Sequence, residues 1–109
     1  MNIDEQITAV EGAVTKFLFE NRQLLPLNIL GDTESMDHVK SIAVSILCTK
    51  WNVGYPGGSF VQSLVKNDLY GSFANADSVN RQCIYFYVVM MSNVGMPREL
   101  WVTDKVTNI

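Results

Sequence analysis

Asp77 to Ser92 reads DSVNRQCIYFYVVMMS, and whether this stretch is helix or strand decides the fold. On β-propensity alone CIYFYVVMM suits a strand, which stays the alternative. Three features favour a helix: Asp77, followed by Asn80, is a good N-terminal cap, the extent is about fifteen residues, and turn residues are lacking before Asn93. Being apolar on nearly all sides, this helix is expected to be the central one that the others surround. Its longest apolar run, Cys83 to Met91, is about half of the ~18 to 20 residues a membrane helix needs, so it reads as buried core. Asn93 to Pro97 should end the helix, with Gly95 as the left-handed residue. Arg98 to Trp101 then forms one more turn that lays the indole on the core, and Val102 to Ile109 is expected to be a fraying tail.

Upstream lies YPGGSFVQSLVKNDLYGSFANADSVN, Tyr55 to Asn80. Pro56 and Gly57-Gly58 read as a turn, and Ser59 with Gln62 as a capping box opening a helix that buries Phe60, Val61, Leu64 and Val65. Asn67-Asp68 offers a second cap, after which Leu69, Tyr70 and Phe73 give a short apolar turn weakened by Gly71. The spacing predicts two short helices joined at an angle.

In the first half, Ile3, Ile7, Val10, Val14, Phe17 and Leu18 recur at helical steps, with Asn2 as cap and Asp4 and Glu5 complementing the helix dipole. Gly12 lies mid-helix, where a close helix crossing would account for it. Pro26 makes a continuous helix through LLPLNIL (residues 24–30) unfavourable, so this reads as an extended connector across the core with a turn of helix at Leu27 to Leu30. A further helix begins at Thr33 or Ser35 and buries Met36, Val39, Ile42, Ala43, Ile46, Leu47 and Trp51 before Gly54 stops it. His38, in its first turn, reads as solvated. The expected fold is all-α, one domain over residues 1–109, a compact orthogonal bundle of four or five helices.

The 109 residues are 48% hydrophobic and 17% charged, the composition of a folded globular domain rather than a disordered chain. The net charge of −3, with eight scattered Lys and Arg, gives no long-range attraction to phosphate backbones or anionic lipids. The start, MNIDEQ, lacks the basic and apolar parts of a secretory signal, so a cytoplasmic location is expected. Cys48 and Cys83 both fall in apolar periodic segments and read as small core hydrophobes rather than a disulfide.

Pro56, Gly58, Ser59, Phe60, Asn67, Asp68, Leu69, Ala76, Asp77 and Asn80, followed by Asn93, Pro97 and Trp101, resemble in order a group of small proteins frequent in phage and prophage genomes. The resemblance covers about half of the chain. It departs at Phe73, Ala74 and Asn75, where a glycine and a basic residue would stand. It implies a phage origin and assigns no activity and no catalytic residue.

Neither a catalytic set nor a cofactor or metal site is expected. Gly57-Gly58-Ser59 is not a nucleophile elbow, because Phe60-Val61 follow it, and it lacks the lysine and spacing of a phosphate-binding loop. An anion held by the amides at Gly57–Ser59, or Asp68 and Asp77 facing each other as acid and base, would be the enzymatic alternatives. A helix-turn-helix reading meets a recognition helix from Ser78 whose one basic residue is Arg81. The reading that fits best is a non-enzymatic protein-binding domain, partnered by itself or by a host protein. The aromatics Tyr55, Tyr70, Tyr85, Tyr87, Trp51 and Trp101 are more than a small core easily hides. The expected contact residues are Tyr55, Gly57, Gly58, Tyr70 and Phe73, with an exposed apolar patch above roughly 400 Å² at Tyr55, Tyr70 and Phe73 as the signature.

Overall fold

The computed structural model describes residues 2–101. The tail expected to fray and the last residues of the single domain therefore lie outside the described part. Seven α-helices occur in it: α1 (Ile3–Glu20), α2 (Leu27–Leu30), α3 (Thr33–Lys50), α4 (Ser59–Val65), α5 (Leu69–Ala74), α6 (Ser78–Gln82) and α7 (Ile84–Asn93). Short 3-10 turns at Arg22–Leu24 and Arg98–Leu100 complete the order, and no strand occurs among the described residues. The protein is all-α. The helices are more numerous than the four or five expected: the chain breaks at Asn67, in left-handed conformation, as the sequence predicts, but also at Cys83, where φ −111° and ψ 8° leave the helical region.

α1 begins as its sequence dictates, with Asn2 Oδ1 accepting from the Glu5 amide at 2.9 Å. α3 begins at Thr33, within the expected start, but its cap differs. Asp32, not Thr33 or Ser35, is the cap, and its carboxylate accepts from both the amide and the hydroxyl of Ser35. The connector is extended at Leu25 and helical over Leu27–Leu30. It buries Leu25 and Ile29 but leaves Leu27 exposed.

α3 is the helix that the others surround: it packs against α1, α2, α4, α6 and α7, and Val39, Ala43, Ile46 and Leu47 are fully buried along it. That role was expected of the Asp77–Ser92 stretch. The helical part of that expectation holds, but the stretch is two helices, and α7 shows Tyr85 and Val88 to solvent. Its opposite face supplies Phe86, Tyr87 and Met90 to the core. There Phe17 packs on Phe86 at 5.5 Å between ring centres, and Phe60 on Tyr87 at 5.9 Å. The Tyr87 hydroxyl donates to Asn80 Oδ1 at 2.9 Å. Asn80 is thus a buried polar partner for the one fully buried phenol, a bond contributing about 0.5–1.5 kcal/mol.

Three further expectations change. Gly12 faces solvent, and a Cβ there would meet nothing within 4 Å, so no helix crossing within the fold accounts for it. Gly95 is not left-handed; the helix ends through Val94 in extended conformation instead. In the last turn Leu100, not Trp101, reaches the core. The exposed indole donates to the Met96 carbonyl at 3.2 Å, and the Arg98 guanidinium lies 5.4 Å from its ring centre.

Candidate functional site

The expected contact residues separate into three places. Gly54 is left-handed, and a Cβ there would come within 3.3 Å of Ile3 Cδ1, so the connector carrying Tyr55 passes the start of α1. Tyr55 itself is 96% exposed. Gly57 is wedged between α3 and α4. A Cβ on it would lie 2.5 Å from Ser45 Oγ and 2.7 Å from Val61 Cγ1, and its amide donates to Thr49 Oγ1 at 2.9 Å. The residue is needed for close packing, and its amide is not free for an anion.

Gly58 is the N-cap of α4 and provides no side chain for the role. Ser59 is the first helical residue rather than the cap. Gln62, expected in a capping box, sends its Nε2 to the Gly57 carbonyl at 2.6 Å. The turn is tied down from both sides, and this accounts for its polar residues without a ligand.

Tyr70 and Phe73 lie together on α5. Asp68 caps this helix by accepting from the Gly71 amide at 2.9 Å, and the Ser72 hydroxyl donates to the Asp68 carbonyl at 2.6 Å. The six-residue helix has its usual sides reversed. Ser72 is its buried residue, while Leu69 is 70% and Tyr70 87% exposed, and Phe73 is exposed as well. A short helix placed only by core burial would turn Leu69 and Phe73, one turn apart, inward.

α7 extends this face. Leu69 and Val88 line one groove of about 320 Å³, with Leu64, Ile84 and Met91 deeper in it. Tyr85, 65% exposed, precedes Val88 by one turn. With about 150–250 Å² per aromatic side chain, the exposed fractions of Tyr70, Phe73 and Tyr85 alone amount to on the order of 400 Å². Leu69 and Val88 add to that. Lys50 borders the groove, where its Nζ donates to the Met91 carbonyl at 2.6 Å. Tyr85 stands among the surplus aromatics of the sequence, but neither it nor Val88 is an expected contact residue; only the phase of Phe86, Tyr87 and Met90 against Tyr85 and Val88 separates the two faces.

The remaining chemistry is spent on structure. His38 is not solvated alone: its Nε2 lies 2.9 Å from Asp77 Oδ2, joining α3 to the start of α6. Asp77 Oδ1 accepts from the Asn80 amide at 2.7 Å. Burial pushes the Asp77 carboxyl up, but the Asn80 amide and the His38 side chain outweigh this and hold it below its ordinary value. Asp68 and Asp77 each cap their own helix, and no hydrogen bond among the described residues joins them. Arg81, the lone base of the would-be recognition helix, is exposed and donates to the Ala76 carbonyl at 3.2 Å.

Cys48 and Cys83 are buried free thiols. Burial pushes Cys83 up to about 11, with the Asp77 charge adding to it. Among the described residues no three His, Cys, Asp or Glu side chains gather as a metal site, and no helix is long and apolar enough to cross a membrane. No family model, curated protein or solved structure matches this chain.

Proposed function

We propose that this protein is a non-enzymatic protein-binding domain and that the face formed by α5 and α7 is its interface. The observation that carries the reading is the reversed helix α5, which buries a serine and offers Leu69, Tyr70 and Phe73 to solvent. Exposing large apolar side chains on so short a helix has no use in the fold, and exposed apolar side chains gathered on two elements that share a groove fit an interaction surface. Aromatic side chains at its centre are the type that anchors protein interfaces. A phage-encoded regulator or inhibitor of a host protein, acting in the cytoplasm, fits the resemblance in residues 56–101; a homodimer is the other partnership with the same chemistry.

Sedimentation separates the two partnerships. A homodimer has twice the 12.2 kDa chain mass and reverts to monomer in Leu69→Asp and Tyr85→Asp. A regulator is a monomer that retains one specific host protein, and loses it in the same variants. A monomer that retains no protein sensitive to either substitution refutes the proposal.

A further inference from the structure

The outward face of α1 forms one wall of a groove of about 1000 Å³. Its lining residues recur along the helix at Glu5, Ala9, Gly12 and Ala13, Lys16 and Glu20, the three- and four-residue steps of a single face. At 1.5 Å per residue, the eighteen residues of α1 make the groove about 27 Å long. The opposite wall is the chain from Asn93 to Glu99, which contributes Val94 and Pro97. Apart from Asn93, the last residue of α7, this surface lies on different elements from the α5 and α7 face.

Its middle is small and apolar, and its ends are acidic. Asp4, Glu5, Glu20 and Glu99 line it against one cation, Lys16. Asp4 and Glu5 have a favourable place in the first turn of α1, and Glu99 lies in the first turn of the Arg98–Leu100 segment, but Glu20, the last residue of α1, has no such compensation. The one ion pair among the described residues is His38 with Asp77, so all four groove carboxylates lack an ion-pair partner there. Gly12 stands in the middle, where a Cβ would meet nothing within 4 Å. Glycine is a poor helix former, and only something approaching α1 from outside would gain from its missing side chain.

We infer that this groove takes a cationic amphipathic helix from a partner protein. A helix with side chains is about 10 Å across, so one as long as α1 occupies on the order of 2000 Å³, and half-seated it fills about half of that, which matches the groove. Its apolar stripe covers Ala9, Gly12 and Ala13, and its lysines or arginines meet the carboxylates at the two ends. A second copy of this chain suits the groove poorly, because each copy would bring the same carboxylates to the contact and one lysine.

The test is fluorescence anisotropy of an eighteen-residue labelled peptide with leucine and alanine on one helical face and lysine on the other, titrated with the full chain. The lysine peptide is expected to bind, with an affinity that falls as salt rises. A peptide with glutamate in place of lysine binds at least tenfold more weakly. Gly12→Leu, which the open space accommodates without unfolding (circular dichroism verifies this), weakens binding at least tenfold, as does Glu20→Gln combined with Glu99→Gln. Ser41→Ala, exposed on α3 and lining neither surface, leaves it unchanged. Equal binding of both peptides, or unaltered binding by Gly12→Leu, overturns the inference. Binding that needs removal of residues 102–109 overturns it in favour of the chain's own segment as occupant. A mass doubling abolished by Gly12→Leu overturns it in favour of a second copy.

Discussion

Gly57→Ala separates a packing role from a binding role at a residue that sequence alone places in the interface. The added methyl group would lie 2.5 Å from Ser45 Oγ, 2.7 Å from Val61 Cγ1 and 2.8 Å from Val61 Cβ. The first atom belongs to α3 and the other two to α4, so relief requires the turn to lift away from both helices. Overpacking of this kind costs about 1–3 kcal/mol. Lifting also lengthens the 2.9 Å bond from the Gly57 amide to Thr49 Oγ1. Against it stands the smaller unfolded-state entropy of alanine, worth about 0.4–1 kcal/mol. The net expectation is a loss of about 1–2 kcal/mol, which for a domain near this size lowers Tm by roughly 4–10 °C. Urea unfolding followed by circular dichroism measures it, and the slope of the transition should not change. A variant as stable as the parent would refute the close-packing account of Gly57 and return the residue to the surface.

The two candidate caps should behave differently in the same assay. Asp77→Ala loses about 0.5–2 kcal/mol because the carboxylate is a true N-cap, whereas Ser59→Ala, at the first helical position with Gly58 as cap, changes stability by less than about 0.5 kcal/mol. Equal losses would restore the Ser59 cap. The Asp77 carboxyl also predicts an acid limb. Its folded value lies below its ordinary one, so its contribution is complete above about pH 4, the unfolded range, and is lost as pH falls through the folded value. Asp77→Asn should flatten the decline measured by urea midpoints below pH 4, and an unchanged slope there would assign the acid limb to other carboxylates. Cys48 and Cys83, both buried with raised values, should resist iodoacetamide at pH 7.5 and react in urea. Labelling of the folded protein at either thiol within minutes contradicts their burial.

Much of the fold is legible because local chemistry and burial agree. Asn2, Asp68 and Asp77 stand one residue before their helices and cap them, and the apolar period of α1 and α3 matches the buried faces. The sequence falters where the local signal is shared by neighbours. Asp32, Thr33 and Ser35 are all good caps, and only the backbone geometry selects Asp32. Ser59 and Gln62 have capping-box spacing, yet the close approach at Gly57 shifts the helix start by one residue. In Ile84–Asn93 nearly every residue is apolar, so periodicity has little contrast, and the exposed pair Tyr85 and Val88 is hidden among core residues. The candidate site was legible in part, through Tyr70 and Phe73. Pairings far apart in sequence, such as His38 with Asp77 or the groove between Leu69 and Val88, leave no local trace.

The interface is tested most directly by site-specific photo-crosslinking in the protein's native cells, with a benzophenone side chain placed in turn at Tyr70, Tyr85 and Phe19. Phe19 is exposed on α1 and serves as the control. The account predicts one and the same covalent adduct from Tyr70 and Tyr85, either of two copies or with a single foreign protein. It predicts no such adduct from Phe19, and loss of the adduct when Leu69→Asp is added. No adduct from either tyrosine position, or the same adduct from all three, would contradict it.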